Sequence, residues 1–230
     1  MAETVWVLEY PRSGGTWIAR MLADTLMCPV LSLSHKHDHL GTDPIVEHLD
    51  RLSRYVVRRA HWNKKEIPST EGDRFLLVVR NPLDVAVSCF HHFTFNKSST
   101  TDLDYCVDQV CGIRAGPHMT FDDSKGKLGW PAYNREWMDE SIPFVRYTDF
   151  HDNARSMLHK TLDALFLSGA QDHVDKAVEQ NSFHNTVQYR PKFVRRGVVG
   201  GYREILSQEN VDTIYGHCGG LMRRLGYEVP

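Results

Sequence analysis

At 230 residues the chain can bury a full core, and its 41% hydrophobic and 24% charged residues are ordinary for a globular protein. A net charge of −2 gives no global basic field for nucleic acid or an anionic membrane, and no apolar run approaches the roughly 20 residues of a membrane helix. The five cysteines are odd in number and scattered without a C-x-x-C pair, so they read as reduced thiols and not as a disulfide or zinc framework.

The first strand reads as Val5-Trp6-Val7-Leu8. It begins so close to Met1 that no signal peptide is expected and a cytoplasmic location is. The chain then turns through Tyr10-Pro11-Arg12-Ser13-Gly14-Gly15-Thr16-Trp17 into a helix with Ile18, Met21, Leu22 and Leu26 inward. The first N–H groups of a helix have no internal partner, and with the helix dipole they form an anion site. Glycines let such a turn take positive φ and approach a bulky anion closely. Arg12 adds a permanent charge with a forked set of donors. The turn is not the triphosphate-binding G-x-x-x-x-G-K-[ST], and by itself it also fits an ordinary strand-to-helix connection.

Pro29 ends the helical pattern, and the imidazole-rich run Ser34-His35-Lys36-His37-Asp38-His39 follows as a polar loop at a cleft mouth. Asp43 to Leu52 reads as a short helix, and Tyr55 to His61 as a β-branched strand ending at an imidazole. A histidine there can be merely structural. In parallel α/β sheets, however, ligands lie at the carboxyl ends of strands, where His61 would face whatever the glycine turn holds.

Phe75-Leu76-Leu77-Val78-Val79-Arg80 is a continuous apolar run, the pattern of a strand buried on both faces. Arg80 at its end is costly unless it meets an anion or pairs with Asp84. Asn81 and Pro82 supply a cap and a first helical residue, and Ser88 falls roughly on the same helix face as that start. Asp102 to Ile113 is predicted helical, Gly112 to Lys127 loop-rich, and Trp130 and Trp137 flank another helix. Pro143 to Tyr147 is a short strand. Asp149 or Asp152 is expected to cap the next helix, whose stripe includes Met157, Leu158, Leu162 and Leu165.

Asp172 to Gln180 forms a further helix, followed by Asn181-Ser182-Phe183. Lys192 to Gly201 mixes cations with small residues and has no period; it reads either as a loop that closes on an anion or as a solvated basic loop. Ser207 caps the last helix and Gly226 ends it. Strands alternate with helices, and no repeat or low-complexity linker divides the chain. The expected fold class is therefore α/β, a single domain over 1–230 with a central, mainly parallel sheet flanked by helices.

Four of these segments, in order, resemble the PAPS-dependent sulfotransferases, whose donor is 3′-phosphoadenosine 5′-phosphosulfate. Tyr10 to Trp17 is similar to the family's 5′-phosphosulfate loop, usually Y-P-K-S-G-T-T-W. Arg80 to Ser88 is similar to its 3′-phosphate segment, and Arg195-Arg196-Gly197-Val198-Val199-Gly200 to its R-K-G-x-x-G loop. His61 falls where the family places its catalytic histidine. Tyr147 and Asn181-Ser182-Phe183 fall where it contacts adenine. Departures are Arg12 for the family's Lys, Gly15 for a Thr, and Gly201-Tyr202 for Asp-Trp.

The resemblance implies a P-loop-like three-layer fold and a sulfotransferase. Arg12, Ser13, Gly14, Gly15 and Thr16 would hold the 5′ end of PAPS; Arg80, Ser88, Arg195, Arg196 and Gly197 would hold its 3′-phosphate. Trp17, Tyr147 and Phe183 would pack around adenine, with Asn181 and Ser182 beside them. His61 would take a proton from an acceptor hydroxyl or amine, and Arg12 would stabilise the leaving oxygen, releasing adenosine 3′,5′-bisphosphate (PAP) without a metal. The rivals are a P-loop small-molecule kinase and a non-catalytic nucleotide-binding module. A third reading is transfer that prepares a leaving group, for net dehydration. The acceptor and the choice between monomer and homodimer stay open; no nucleic-acid partner is expected.

Overall fold

The computed structural model describes residues 2–33, 53–68, 70–95, 102–114, 129–189 and 198–229. Five strands form one sheet: β1 (Glu3–Glu9), β2 (Val30–Leu33), β3 (Tyr55–Ala60), β4 (Arg74–Val79) and β5 (Phe144–Arg146). Their order is β2-β3-β1-β4-β5, and every neighbouring pair is parallel. The α/β class and parallel sheet read from the sequence are therefore present. Parallel strands need both faces covered, which is why β1 and β4 read as apolar runs and not as alternating ones.

Alternation along β1 sends its side chains to two different cores. Trp6, Leu8 and Tyr10 pack with α2 (Pro82–Phe95), α3 (Leu103–Cys111), α4 (Trp130–Met138) and α8 (Gln208–Arg224). Val5 and Val7 pack with α1 (Gly15–Leu26), α5 (Tyr147–Ala164) and α6 (Val174–Gln180) on the opposite face. A short helix α7 (Phe183–Tyr189) follows α6. The result is three layers, helix on sheet on helix.

The predicted caps at Asn81 and Ser207 are present. Asn81 Oδ1 accepts the Leu83 N–H at 3.0 Å, and Asp102, where the next helix was expected to start, accepts the Tyr105 N–H at 2.6 Å. Ser207 and Asn210 form a reciprocal capping box. Gly226 ends α8 at φ 76°, with Tyr227 N–H bonded back to Met222 C=O at 2.9 Å.

The expected cap of α5 is corrected. The helix begins at Tyr147 and is interrupted at Asn153 (φ −152°), whose Oδ1 accepts the Ser156 N–H at 3.0 Å and restarts it. Asp149 is instead paired with Arg146 at 2.8 Å. Strand β2 and helix α7 are additions to the sequence reading. The predicted helix at 43–52 and the histidine run 34–39 lie outside the described residues. None of the five cysteines is in a disulfide.

Trp130 joins this core to the rim of the sheet. Its side chain is fully buried, and its Nε1–H donates to the Arg80 carbonyl at 3.0 Å. Trp130→Ala is expected to lower unfolding free energy by about 3–5 kcal/mol, the usual cost of deleting a buried Trp or Phe. Denaturant titration checks this as a lower midpoint with an unchanged slope.

Candidate active site

Strands β3, β1 and β4 lie side by side. Their carboxyl ends carry His61, the turn from Tyr10 to Gly14, and Arg80. Neighbouring strands are about 4.8 Å apart, so parallel pairing alone brings these three segments to one rim. From β1 the chain runs through α1 to β2 and β3 on one side and then crosses to β4 and β5 on the other, and such a switch point opens a crevice in α/β sheets.

The turn is held by backbone geometry. Ser13 N–H donates to the Tyr10 carbonyl at 3.1 Å. Arg12 and Gly14 both have positive φ, 70° and 96°. A Cβ at Gly14 would overlap the Tyr147 ring, so glycine serves both conformation and space there. Arg12 Nε donates to Ser88 Oγ at 3.2 Å, tying the turn to α2. Arg80 Nη1 donates to the Arg12 carbonyl at 3.3 Å, and its guanidinium lies 4.5 Å from the centre of the Tyr147 ring. Tyr147 in turn meets Trp17 edge-on at 5.7 Å.

Two buried polar atoms here, Ser13 Oγ and Arg80 Nε, have no hydrogen-bond partner among the described residues. Unpaired buried donors are costly, and both suit an anion at this turn. The alternative pairing of Arg80 with Asp84 is not what forms. Asp84 is buried and accepts the Gly200 N–H at 2.9 Å and the Tyr202 N–H at 3.4 Å. It thus anchors the downstream end of the basic loop to α2, one turn before Ser88. Arg195, Arg196 and Gly197 themselves lie outside the described residues.

His61 is partly buried and tied at both ring nitrogens. Nδ1 is 3.0 Å from the Glu9 carbonyl, and Nε2 is 2.8 Å from Arg59 Nη1. A carbonyl only accepts, so Nδ1 carries the proton and Nε2 accepts from Arg59. Arg59 Nη1 also donates to Glu9 Oε1 at 2.6 Å, while Glu9 Oε2 accepts the Gly15 N–H at 2.6 Å. Gly15, expected to aim its N–H at the ligand, therefore aims it at Glu9. Burial raises the Glu9 carboxyl, but Arg59, His61 and the Gly15 N–H outweigh it and hold the pKa below the usual range. Burial lowers His61 from 6.5 to about 4, with Glu9 opposing and Arg59 and Arg12 assisting.

Glu9 and Arg59 were missed in the sequence reading, and Asp84, read there only as a possible partner of Arg80, was missed as the anchor of the basic loop. A signal for the first two was available: Glu9 shares a strand face with Val5 and Val7, and Arg59 and His61 share one with Val57. An acid at the end of a buried strand is as costly as the arginine that did draw notice.

The residues expected near adenine divide. Trp17 Nε1–H donates to the Asn181 carbonyl at 2.7 Å. The Asn181 amide donates to Asp24 at 2.6 Å and to the Ala177 carbonyl at 2.9 Å, so it links α6 to α1. Ser182 Oγ accepts the Asn185 N–H at 3.4 Å, and Phe183 is half exposed. Thr16 sits partly exposed in the first turn of α1. Arg12, Ser13, Gly14, Trp17, Arg80, Ser88 and Tyr147 are thus linked into one cluster, while Asn181 is turned toward α1.

A sulfotransferase-domain family model matches residues 2–226. The chain belongs to the sulfotransferase family. It is 24% identical over 225 residues to the rabbit (Oryctolagus cuniculus) amine sulfotransferase, covering 90% of this chain and 68% of that one. Its fold is similar to mouse sulfotransferase SULT7A1 in complex with PAP, with a TM-score of 0.73 at 20% identity, over 96% of this chain and 85% of the other. Retinol dehydratase with retinol and PAP gives a TM-score of 0.69 at 14% identity, over 99% and 83%. Membership makes the protein a sulfotransferase, the enzyme class expected from its motifs. No helix among the described residues is long and apolar enough to cross a membrane.

The sulfotransferase should show the His61 imidazole titrating near pH 4 in a histidine NMR titration, well below the ordinary 6.5. The folded state then binds this proton less readily than the unfolded chain. The stability so contributed is complete above pH 6.5 and is lost as pH falls toward 4. His61→Gln is expected to flatten the pH dependence of unfolding in that window.

Proposed function

We propose that this sulfotransferase moves the sulfuryl group of PAPS to a hydroxyl or amine of a small acceptor by in-line displacement and releases PAP. The observation that carries the reading is the convergence of the Tyr10–Gly14 turn, Arg80, Ser88 and His61 on one rim, with Ser13 Oγ and Arg80 Nε buried and unpartnered. The rabbit relative is by name an amine sulfotransferase, and mouse SULT7A1 holds PAP, which favours this donor and an acceptor of that kind. PAPS supplies an activated sulfuryl group and, at its far end, a 3′-phosphate.

Arg12, Ser13, Gly14 and Thr16 bind the 5′ end. Arg80 and Ser88 bind the 3′-phosphate together with Arg195, Arg196 and Gly197, whose loop Asp84 anchors. Trp17, Tyr147, Ser182 and Phe183 flank the base; Asn181 acts by holding Trp17. His61 takes the acceptor's proton on Nε2, which is neutral and available for that role at pH 7 once Arg59 yields its contact. Arg12 stays charged and stabilises the leaving oxygen. Positioning and electrostatics carry most of phosphoryl transfer, and the same division of labour applies at sulfur. This proposal includes a single domain, a cytoplasmic location and no requirement for a metal. A kinase is disfavoured by the absence of a Gly-Lys-Ser/Thr pair after the turn.

Incubation with labelled PAPS and a pooled metabolite extract is expected to yield a product heavier by about 80 mass units, above the spontaneous rate. His61→Ala should abolish transfer and leave calorimetric PAP affinity intact. Arg80→Ala should weaken PAP binding by roughly 10-fold or more, the loss of a charge-assisted contact worth about 1.5–3 kcal/mol. Full turnover in His61→Ala, or unchanged affinity in Arg80→Ala, removes the respective role.

A further inference from the structure

Glu9 is a carboxylate only 2% exposed, at the end of β1 directly before the turn meant for an anion. Its surroundings are built for it. A Cβ on Gly15 would stand 2.6 Å from Glu9 Cδ and 2.8 Å from Oε1. The family loop usually has Thr where this chain has Gly15. The missing side chain and the carboxylate are therefore complementary: Gly15 leaves the volume, and Glu9 fills it. Arg59 supplies the counter-charge, with its side chain 12% exposed.

A carboxylate at a helix N-terminus is stabilising in itself, so capping α1 is one role for Glu9. The rest of its contacts go further. Both ring nitrogens of His61 lead back to this one residue. Nδ1–H meets the Glu9 carbonyl, and Nε2 meets Arg59 Nη1, whose other hydrogen is held by Glu9 Oε1. The Nε2 lone pair accepts one strong hydrogen bond, so an acceptor group can reach it only by displacing Arg59.

We propose that Glu9 is a positioning residue for His61, fixing its Nδ1–H tautomer through the main-chain carbonyl and keeping Arg59 on Nε2 until the acceptor hydroxyl or amine takes that place. This rests on the reading of His61 as the base given above. After exchange, Arg59 remains neutralised by Glu9 and does not follow the acceptor into the reaction as an unpaired buried charge. Among the described residues, the charged groups facing His61 include Glu9 from β1, Arg59 from β3 and Arg12 from the turn.

The test uses imidazole nitrogen–proton correlation spectra of the full-length protein, with His61 assigned by the signals lost in His61→Gln. Wild type is expected to show the Nδ1–H tautomer. In Glu9→Gln the carboxamide cannot accept from both Gly15 and Arg59 without turning a donor toward one of them. The Nε2 contact should loosen, and His61, deprived of the carboxylate that holds its pKa up, should titrate lower still. The kcat should fall by about 10-fold, less than the roughly 100-fold or more that removal of a general base costs, with PAP affinity unchanged. Glu9→Ser combined with Gly15→Thr refills the vacated volume and provides a second folded variant, expected to behave alike. A wild-type Nε2–H tautomer overturns the proposal, as does a folded Glu9 variant with unchanged titration and kcat. If the imidazole responds as expected but wild type transfers nothing from PAPS, the proposed function fails and the positioning role stands.

Discussion

Charge buried at the carboxyl ends of three adjacent strands is the constraint on which the rest of this structure depends. Glu9, Arg12, Arg59 and Arg80 all lie where the sheet meets the first helix, largely out of water. A buried charge must be paired or hydrogen-bonded, and the cost of leaving it otherwise is severe. Glu9 and Arg59 satisfy each other at 2.6 Å. Arg12 and Arg80 reach no carboxylate within ion-pair distance among the described residues; they meet a serine hydroxyl, a backbone carbonyl and an aromatic face. Those are holding contacts for a cation, not neutralising ones. The protein therefore keeps a positive excess in a site with buried, unpartnered donors, which is the electrostatic complement of an anionic ligand and the physical content of the family assignment.

The topology explains why so few residues suffice. Parallel pairing of β1 with β3 and β4 runs through six and five residue pairs, respectively. The register is fixed by packing on both faces, because a one-residue slip would send every side chain of β1 into the opposite core, which is shaped for different side chains. With the register fixed, the ends are fixed. His61 and Arg80 each need only follow directly after their strands to arrive beside the turn. Trp130 then fixes the Arg80 main chain from one side, and Tyr227 fixes the Val79 carbonyl through its hydroxyl at 3.2 Å. The site is rigid because the residue carrying the charge and the residue before it are both tied to the core.

Much of this was legible in the sequence because it depends on local rules. Four of the five strands, the caps at Asn81 and Ser207, and the stop at Gly226 follow from period, capping preference and backbone freedom. What was not legible depends on which side chains meet across strands. Glu9 and Arg59 are fifty positions apart and signal nothing singly. Only the register that sets Val7 opposite Arg59 makes them partners. The cap of α5 failed for a different reason: Asp149 found a stronger local partner in Arg146, leaving Asn153 to restart the helix. Strand β2 was hidden by its shortness, since four residues after a proline carry too little pattern to separate strand from loop.

The departures from the usual family loop have one structural logic. Arg12 in place of Lys uses Nε to reach Ser88 and leaves both Nη groups for other acceptors, whereas a lysine has a single nitrogen for every contact. Gly15 in place of Thr removes a side chain from the one point where the Glu9 carboxylate must pass to reach Arg59. Each residue goes with a contact that spans two elements: the turn to α2 through Arg12, and β1 to β3 through Glu9. A turn whose charges are held from both sides has less freedom to rearrange before its ligand arrives. Electrostatic stabilisation of a developing charge depends on that pre-existing order, since groups already in place need no reorganisation at the moment of reaction. The departures thus bear on how the loop is held, through α2 on one side and β3 on the other.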